Sequence, residues 1–143
     1  MMHVLFIAIS LLSASQVFAQ EQSCGSQAMM TMTKADGAKL GLFISFAQIS
    51  GSPPWTPEAG EPPLPLSKAV QLATEWAKKE YKRFDGVQVR SINVTAYGCP
   101  APKDRWYYTV HFAPIMDTIP LLVPGYFVAV LMDGTIIGPT TVK

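Results

Sequence analysis

The spacing of apolar residues changes several times along this chain, and each change predicts an element. Residues 4–12 are apolar except for Ser10, and the more polar Ser13, Ser15 and Gln16 follow before Val17, Phe18 and Ala19. In residues 27–49 the period is two: Met30 and Met32, then Leu40, Leu42, Ile44 and Phe46, with Asp36-Gly37 between the two sets. Asp-Gly between alternating runs predicts a hairpin, because Gly accepts the positive φ of a tight turn. The second strand is the more clearly patterned, since Ala, Met, Gln and Lys also suit the first segment to a short helix. Residues 67–84 change to a spacing of three and four. Ala69, Val70, Ala73, Trp76, Ala77, Tyr81 and Phe84 fall on one side, and Lys68, Gln71, Glu75, Lys78, Lys79, Lys82 and Arg83 on the other. That pattern predicts an amphipathic helix of about four to five turns. Ser67 is placed to cap its start, Glu75 to pair with Lys79, and Asp85-Gly86 to give a left-handed stop.

Between hairpin and helix, residues 51–65 carry Pro53, Pro54, Pro57, Pro62, Pro63 and Pro65 around Trp55. Prolines at this density remove backbone donors and favour extended geometry, so the segment is a connection. It is expected to be a stiff strap with Trp55 tucked into the core, in preference to a docking segment for an aromatic groove. After the helix the period of two returns. Val87 and Val89 alternate, and Ile92, Val94 and Ala96 alternate in the opposite phase, which predicts a bulge near Arg90-Ser91 or a change of face. Residues 99–104 form a turn. Trp106, Tyr108, Val110 and Phe112 then mark the core face of a strand, with Tyr107, Thr109 and His111 facing the other way. Residues 115–125 read as a long loop, residues 126–131 as a buried strand, and Asp133-Gly134 as a turn into Thr135-Ile136-Ile137. The expected fold is α+β: one amphipathic helix packed on a curved, mostly antiparallel sheet.

That order brings a family resemblance into view. Leu66-Ser67-Lys68-Ala69-Val70-Gln71-Leu72-Ala73, the helix ending at Asp85-Gly86, and Val128-Ala129-Val130-Leu131-Met132-Asp133-Gly134-Thr135-Ile136-Ile137 resemble the start and finish of a PepSY-type domain. Such domains are similar to cystatins in curling a short antiparallel sheet around a helix. The resemblance covers residues 66–141 and leaves out the N-terminal hairpin and the proline-rich strap. It implies interaction with peptides or peptidases, inhibition included, through loops or a sheet edge.

Composition and chemistry narrow the function further. Residues 1–19 read as a signal peptide, with Val17 and Ala19 where a signal peptidase looks for small residues, although the segment before the apolar run has no Lys or Arg. The apolar run is too short to cross a bilayer, so no stable membrane insertion is expected once it is removed. Residues preceding Cys24 are not those of a lipoprotein. The remainder, residues 20–143, suits a single domain in a secreted or periplasmic protein. With 11 basic and 10 acidic residues the formal charge is +1, which argues against nucleic acid as a partner. Lys78, Lys79, Lys82 and Arg83 are read as a solvated face at the negative end of the helix. Cys24 and Cys99 are the only cysteines, and in an exported protein they are expected to form one disulfide. His111 is the lone histidine after the leader, too little for a metal site, and no cofactor motif or catalytic set appears. Asn93-Val94-Thr95 is a glycosylation acceptor if the source is eukaryotic. The favoured function is a non-catalytic exported binding module for a protein or peptide. The alternative is a small enzyme or ligand carrier with a pocket between helix and sheet. Trp55, Trp76, Trp106, Tyr108, His111 and Tyr126 are the candidate partner or pocket contacts.

Overall fold

Asp36 and Gly37 make the first turn as their sequence predicts. Gly37 takes φ +85°, Lys34 N–H donates to Ala38 O, and Asp36 Oδ1 accepts from Ala38 N–H at 3.0 Å. The computed structural model describes Cys24 and residues 26–143, so the expected leader, residues 1–19, lies outside the described residues. The turn joins β1 (Met30–Thr33) to β2 (Lys39–Leu42), and β8 (Thr140–Val142) pairs with the free side of β2. β2 ends at Leu42 instead of continuing to Phe46. Ser45 accepts from Gln48 N–H while the Gln48 side chain accepts from Ser45 N–H, and this capping box opens α1 (Phe46–Ser50). Two satisfied backbone donors favour the helix there over further alternation.

The proline-rich strap contains one 3-10 turn at Pro57–Ala59 and leads into α2 (Leu66–Glu80). Pro65, not Ser67, sits at the N-cap, with no side-chain cap. Its carbonyl accepts from Lys68 and Ala69 N–H, and its fixed φ suits helix entry. The far end also differs from expectation. The helix stops at Glu80, and Asp85-Gly86 leads into β3 (Gly86–Ala96), with Asp85 N–H donating to Ile115 O at 2.9 Å. Pairing with the next strand thus replaces the left-handed stop. Glu75 accepts from the Gln71 amide at 3.0 Å, where the sequence suggested Lys79.

The main sheet is antiparallel, in the order β3, β4 (Trp106–Met116), β6 (Phe127–Leu131), β7 (Ile136–Ile137). The register shifts between Val89 and Ser91. This is the bulge that the change of phase predicts, and it keeps Val87, Val89 and Ile92 on the helix side, packed with the buried cluster there. The expected loop 115–125 is partly strand: β4 runs to Met116, Asp117 and Thr118 take positive φ, and β5 (Ile119–Pro120) folds back onto β4. Positive φ at both central turn positions matches the twist of the strands they join.

Helix and strands form three layers, an α+β arrangement with two antiparallel sheets not closed into a barrel. Ala69, Ala73 and Ala77, all 0% exposed, let α2 lie close on Tyr108, Val110, Phe112, Val128 and Val130. On the opposite face, Leu42, Ile44 and Ile49 from the first sheet and α1 cover Tyr107, Phe127, Ala129 and Leu131. Tyr107 and Thr109 are therefore buried, at 3% and 4% exposed, although their phase reads as outward. Each large apolar side chain buried this way contributes about 1.5–3 kcal/mol. The Cys24–Cys99 disulfide, with Cα atoms 6.0 Å apart and a sequence separation of 75, ties the start of this second cover to the β3–β4 connection.

Candidate functional site

β3 is an edge strand of eleven residues. Tyr97 N–H donates to Arg105 O at 2.8 Å, and the register Ser91↔His111 through Ala96↔Trp106 continues from that pair. Antiparallel pairs alternate between those that exchange hydrogen bonds and those that do not. Counting back from Tyr97, the residues Thr95, Asn93 and Ser91 bond to β4, whereas Ala96, Val94 and Ile92 turn their N–H and C=O groups away from it. The outer side of this stretch is a ready hydrogen-bonding template. Edge strands are usually blunted by Lys, Pro or brevity. Residues 91–96 contain no charge and no proline.

The surroundings of the edge are apolar on the helix side. Val94 is 42% exposed and lies opposite Tyr108, whose hydroxyl donates to Leu64 O at 2.7 Å. That bond holds the end of the strap, just before α2, where Leu66 is 49% exposed. On the other side β3 presents the exposed polar residues Gln88, Ser91, Asn93 and Thr95. Asn93, which is a glycosylation acceptor if the source is eukaryotic, stands on this strand.

The six candidate contact residues are distributed over the molecule. Trp55 is half-buried, edge-on to Trp106 at 6.1 Å, and donates through Nε1 to Gly60 O, as expected of a strap packed onto the core. Tyr108 is 1% exposed, and burial raises its phenol pKa. Trp76 lies edge-on to Tyr81, and Tyr81 edge-on to Tyr126 at 5.0 Å, in a ladder at the C-terminal end of α2. Arg83 donates to the Tyr126 hydroxyl at 3.1 Å. Burial pushes the Tyr81 phenol above its ordinary range. Trp76 and Tyr126 line one cleft, Trp106 a second, and His111 and Tyr126 a third. None of these three clefts brings Trp76, Trp106, Tyr108 and Tyr126 together.

His111 stacks on Phe127 at 5.7 Å, on the side of the sheet away from α2. Desolvation and the nearby Arg90 guanidinium lower its pKa. Among the described residues, no three His, Cys, Asp or Glu side chains gather as metal ligands would, and no helix is long and apolar enough to cross a membrane. Sequence reasoning did not single out Ile92, Val94, Ala96, Leu66 or Arg90 as site residues. The change of phase at Arg90-Ser91 was the one available signal, since it marks where the edge strand bends. No protein-family model matches the chain, and no curated protein or solved structure matches it either, so its function is argued from this geometry.

Proposed function

We propose that the protein is an exported, non-catalytic module that binds an extended peptide by adding it as a strand to β3. The observation that carries this is the open edge at residues 91–96, uncharged and free of proline, with Val94 exposed on it and Leu66 exposed at the start of α2. Ile92, Val94 and Ala96 offer three donors and three acceptors, and a net contribution of about 0.5–1.5 kcal/mol per bond gives roughly 3–9 kcal/mol in all. Association costs a similar amount. Main-chain bonds alone therefore give weak binding, and specificity falls to apolar side chains of the peptide that meet Val94 and Leu66 at alternate positions. The disulfide supports an oxidising compartment, in keeping with a secreted or periplasmic location. The resemblance to PepSY-type and cystatin-like domains points to the same class of partner, and inhibition of a peptidase is the narrower form of this reading.

Val94→Pro tests it. The Val94 N–H points away from β4, so proline there removes no ladder bond but blocks an incoming strand. Probed against an array of extended ten-residue peptides, the wild-type protein is expected to select sequences with alternating apolar residues, and the variant to lose them. Equal binding by both proteins contradicts strand addition.

A further inference from the structure

At the bulge of β3, Arg90 is the extra residue between the pairs Val89↔Phe112 and Ser91↔His111. Bulges re-aim side chains, and here Arg90 and His111 line a common cleft of about 200 Å³ whose apolar walls include Met32, Leu122, Val123 and Pro124. No Asp or Glu lines it.

Three features of the cleft are left unmatched within the fold. The Arg90 guanidinium makes no hydrogen bond and no ion pair among the described residues, where the one salt bridge is Lys34–Asp36. Leu122 is 71% exposed, more than any other large apolar side chain described. His111 has its ring face on Phe127 but no hydrogen bond at either nitrogen among the described residues. A free guanidinium presents a planar fork that matches a carboxylate. An uncovered leucine beside an adaptable methionine matches an aliphatic chain. The volume lies below the range usual for drug-sized ligands, which limits that chain to a short one.

We infer that the Arg90–His111 cleft binds a carboxylate bearing a short aliphatic chain, with the carboxylate on Arg90 and the chain against Leu122 and Met32. Two sources share this chemistry: the C-terminal residue of a peptide with an apolar last side chain, and a free fatty acid no longer than octanoate. Desolvation and the Arg90 charge lower the His111 pKa, which favours the neutral ring, so His111 would add a hydrogen bond to the site while Arg90 supplies the charge.

The test follows the His111 ring signals by NMR while octanoate, N-acetyl-leucine or octanamide is titrated into the full chain. The His111 signals are told from those of His3 by their loss in His111→Gln. All three probes are too short to extend along β3, so the result is independent of strand addition. Saturable shifts are expected for one or both carboxylates, with dissociation constants on the order of 1 mM or tighter. Octanamide should bind about tenfold more weakly, since it lacks the charge that Arg90 pairs. Arg90→Gln and Leu122→Ser, both at exposed positions, should each weaken octanoate binding by a similar factor. Tighter binding of octanoate assigns the site to fatty acid, and tighter binding of N-acetyl-leucine assigns it to a peptide terminus. The inference is overturned by the absence of a saturable shift up to about 10 mM, by octanamide binding as well as octanoate, or by Arg90→Gln binding as the wild type does.

Discussion

Reducing the Cys24–Cys99 disulfide removes the one covalent tie between the N-terminal segment and the β3–β4 connection. The bridge closes a loop whose ends are 75 residues apart, and the chain-entropy relation for a loop of that size gives about 4.5 kcal/mol at 25 °C. The stability of a domain this size is about 5–15 kcal/mol, so the reduced protein is expected to lose roughly 30% or more of its stability and to melt roughly 15 °C lower. Cys99 is 8% exposed and packs in the cluster formed by Leu42, Ile44 and Tyr107. Comparing oxidised and reduced wild type keeps both side chains and isolates the linkage, whereas Cys24→Ala/Cys99→Ala adds a small packing loss. Urea titrations followed by circular dichroism give both the free energy and its slope. The slope should rise on reduction, because the unbridged denatured chain exposes more surface. A difference below about 1 kcal/mol with an unchanged slope would refute the reasoning, since it would mean that the denatured chain loses nothing by being closed.

Further outcomes follow from particular contacts. Phe127→Ala should cost about 3–5 kcal/mol in urea unfolding, because Phe127 is 0% exposed beneath the first sheet and stacked on His111. Asn93→Pro should cost about 3 kcal/mol and Val94→Pro less than about 1 kcal/mol, because only the first removes a ladder bond to β4 and strands a carbonyl; equal costs would contradict the alternation counted from Tyr97. Ser45→Ala should cost about 1 kcal/mol through loss of the capping box that opens α1. The His111 pKa is lowered in the folded state, so its contribution is fully present above the unfolded value of about 6.5 and is lost as pH falls through the folded value. Stability measured between pH 7 and pH 5 should decline for this reason, and His111→Gln should flatten that part of the profile.

The elements legible in the sequence are those whose signals are local. The spacing of Ala69, Ala73 and Ala77 marks the buried stripe of α2, Asp36-Gly37 marks the hairpin, and the reversed phase of Ile92, Val94 and Ala96 marks the bulge. The cysteine count gives the disulfide. What escaped was set by partners distant in the chain. Tyr107 and Thr109 read as outward because one covered face was assumed, whereas the N-terminal hairpin and α1 cover the second. Asp85-Gly86 reads as a helix stop only until Ile115 is known to take its backbone. Ser45 and Gln48 carry the spacing of a capping box, and the alternation of Leu40, Leu42 and Ile44 conceals it. Of the candidate site, the aromatic residues were chosen for their chemistry, and the fold disperses them. An open edge is a property of the topology, and no residue type announces it.

Amide hydrogen exchange along β3 tests strand addition most directly. In the free protein, Ile92, Val94 and Ala96 should exchange fast and Ser91, Asn93 and Thr95 slowly; with a selected peptide at saturation the first three should slow as well. Protection of those three in the free protein, or a bound peptide that leaves them fast, would contradict the account.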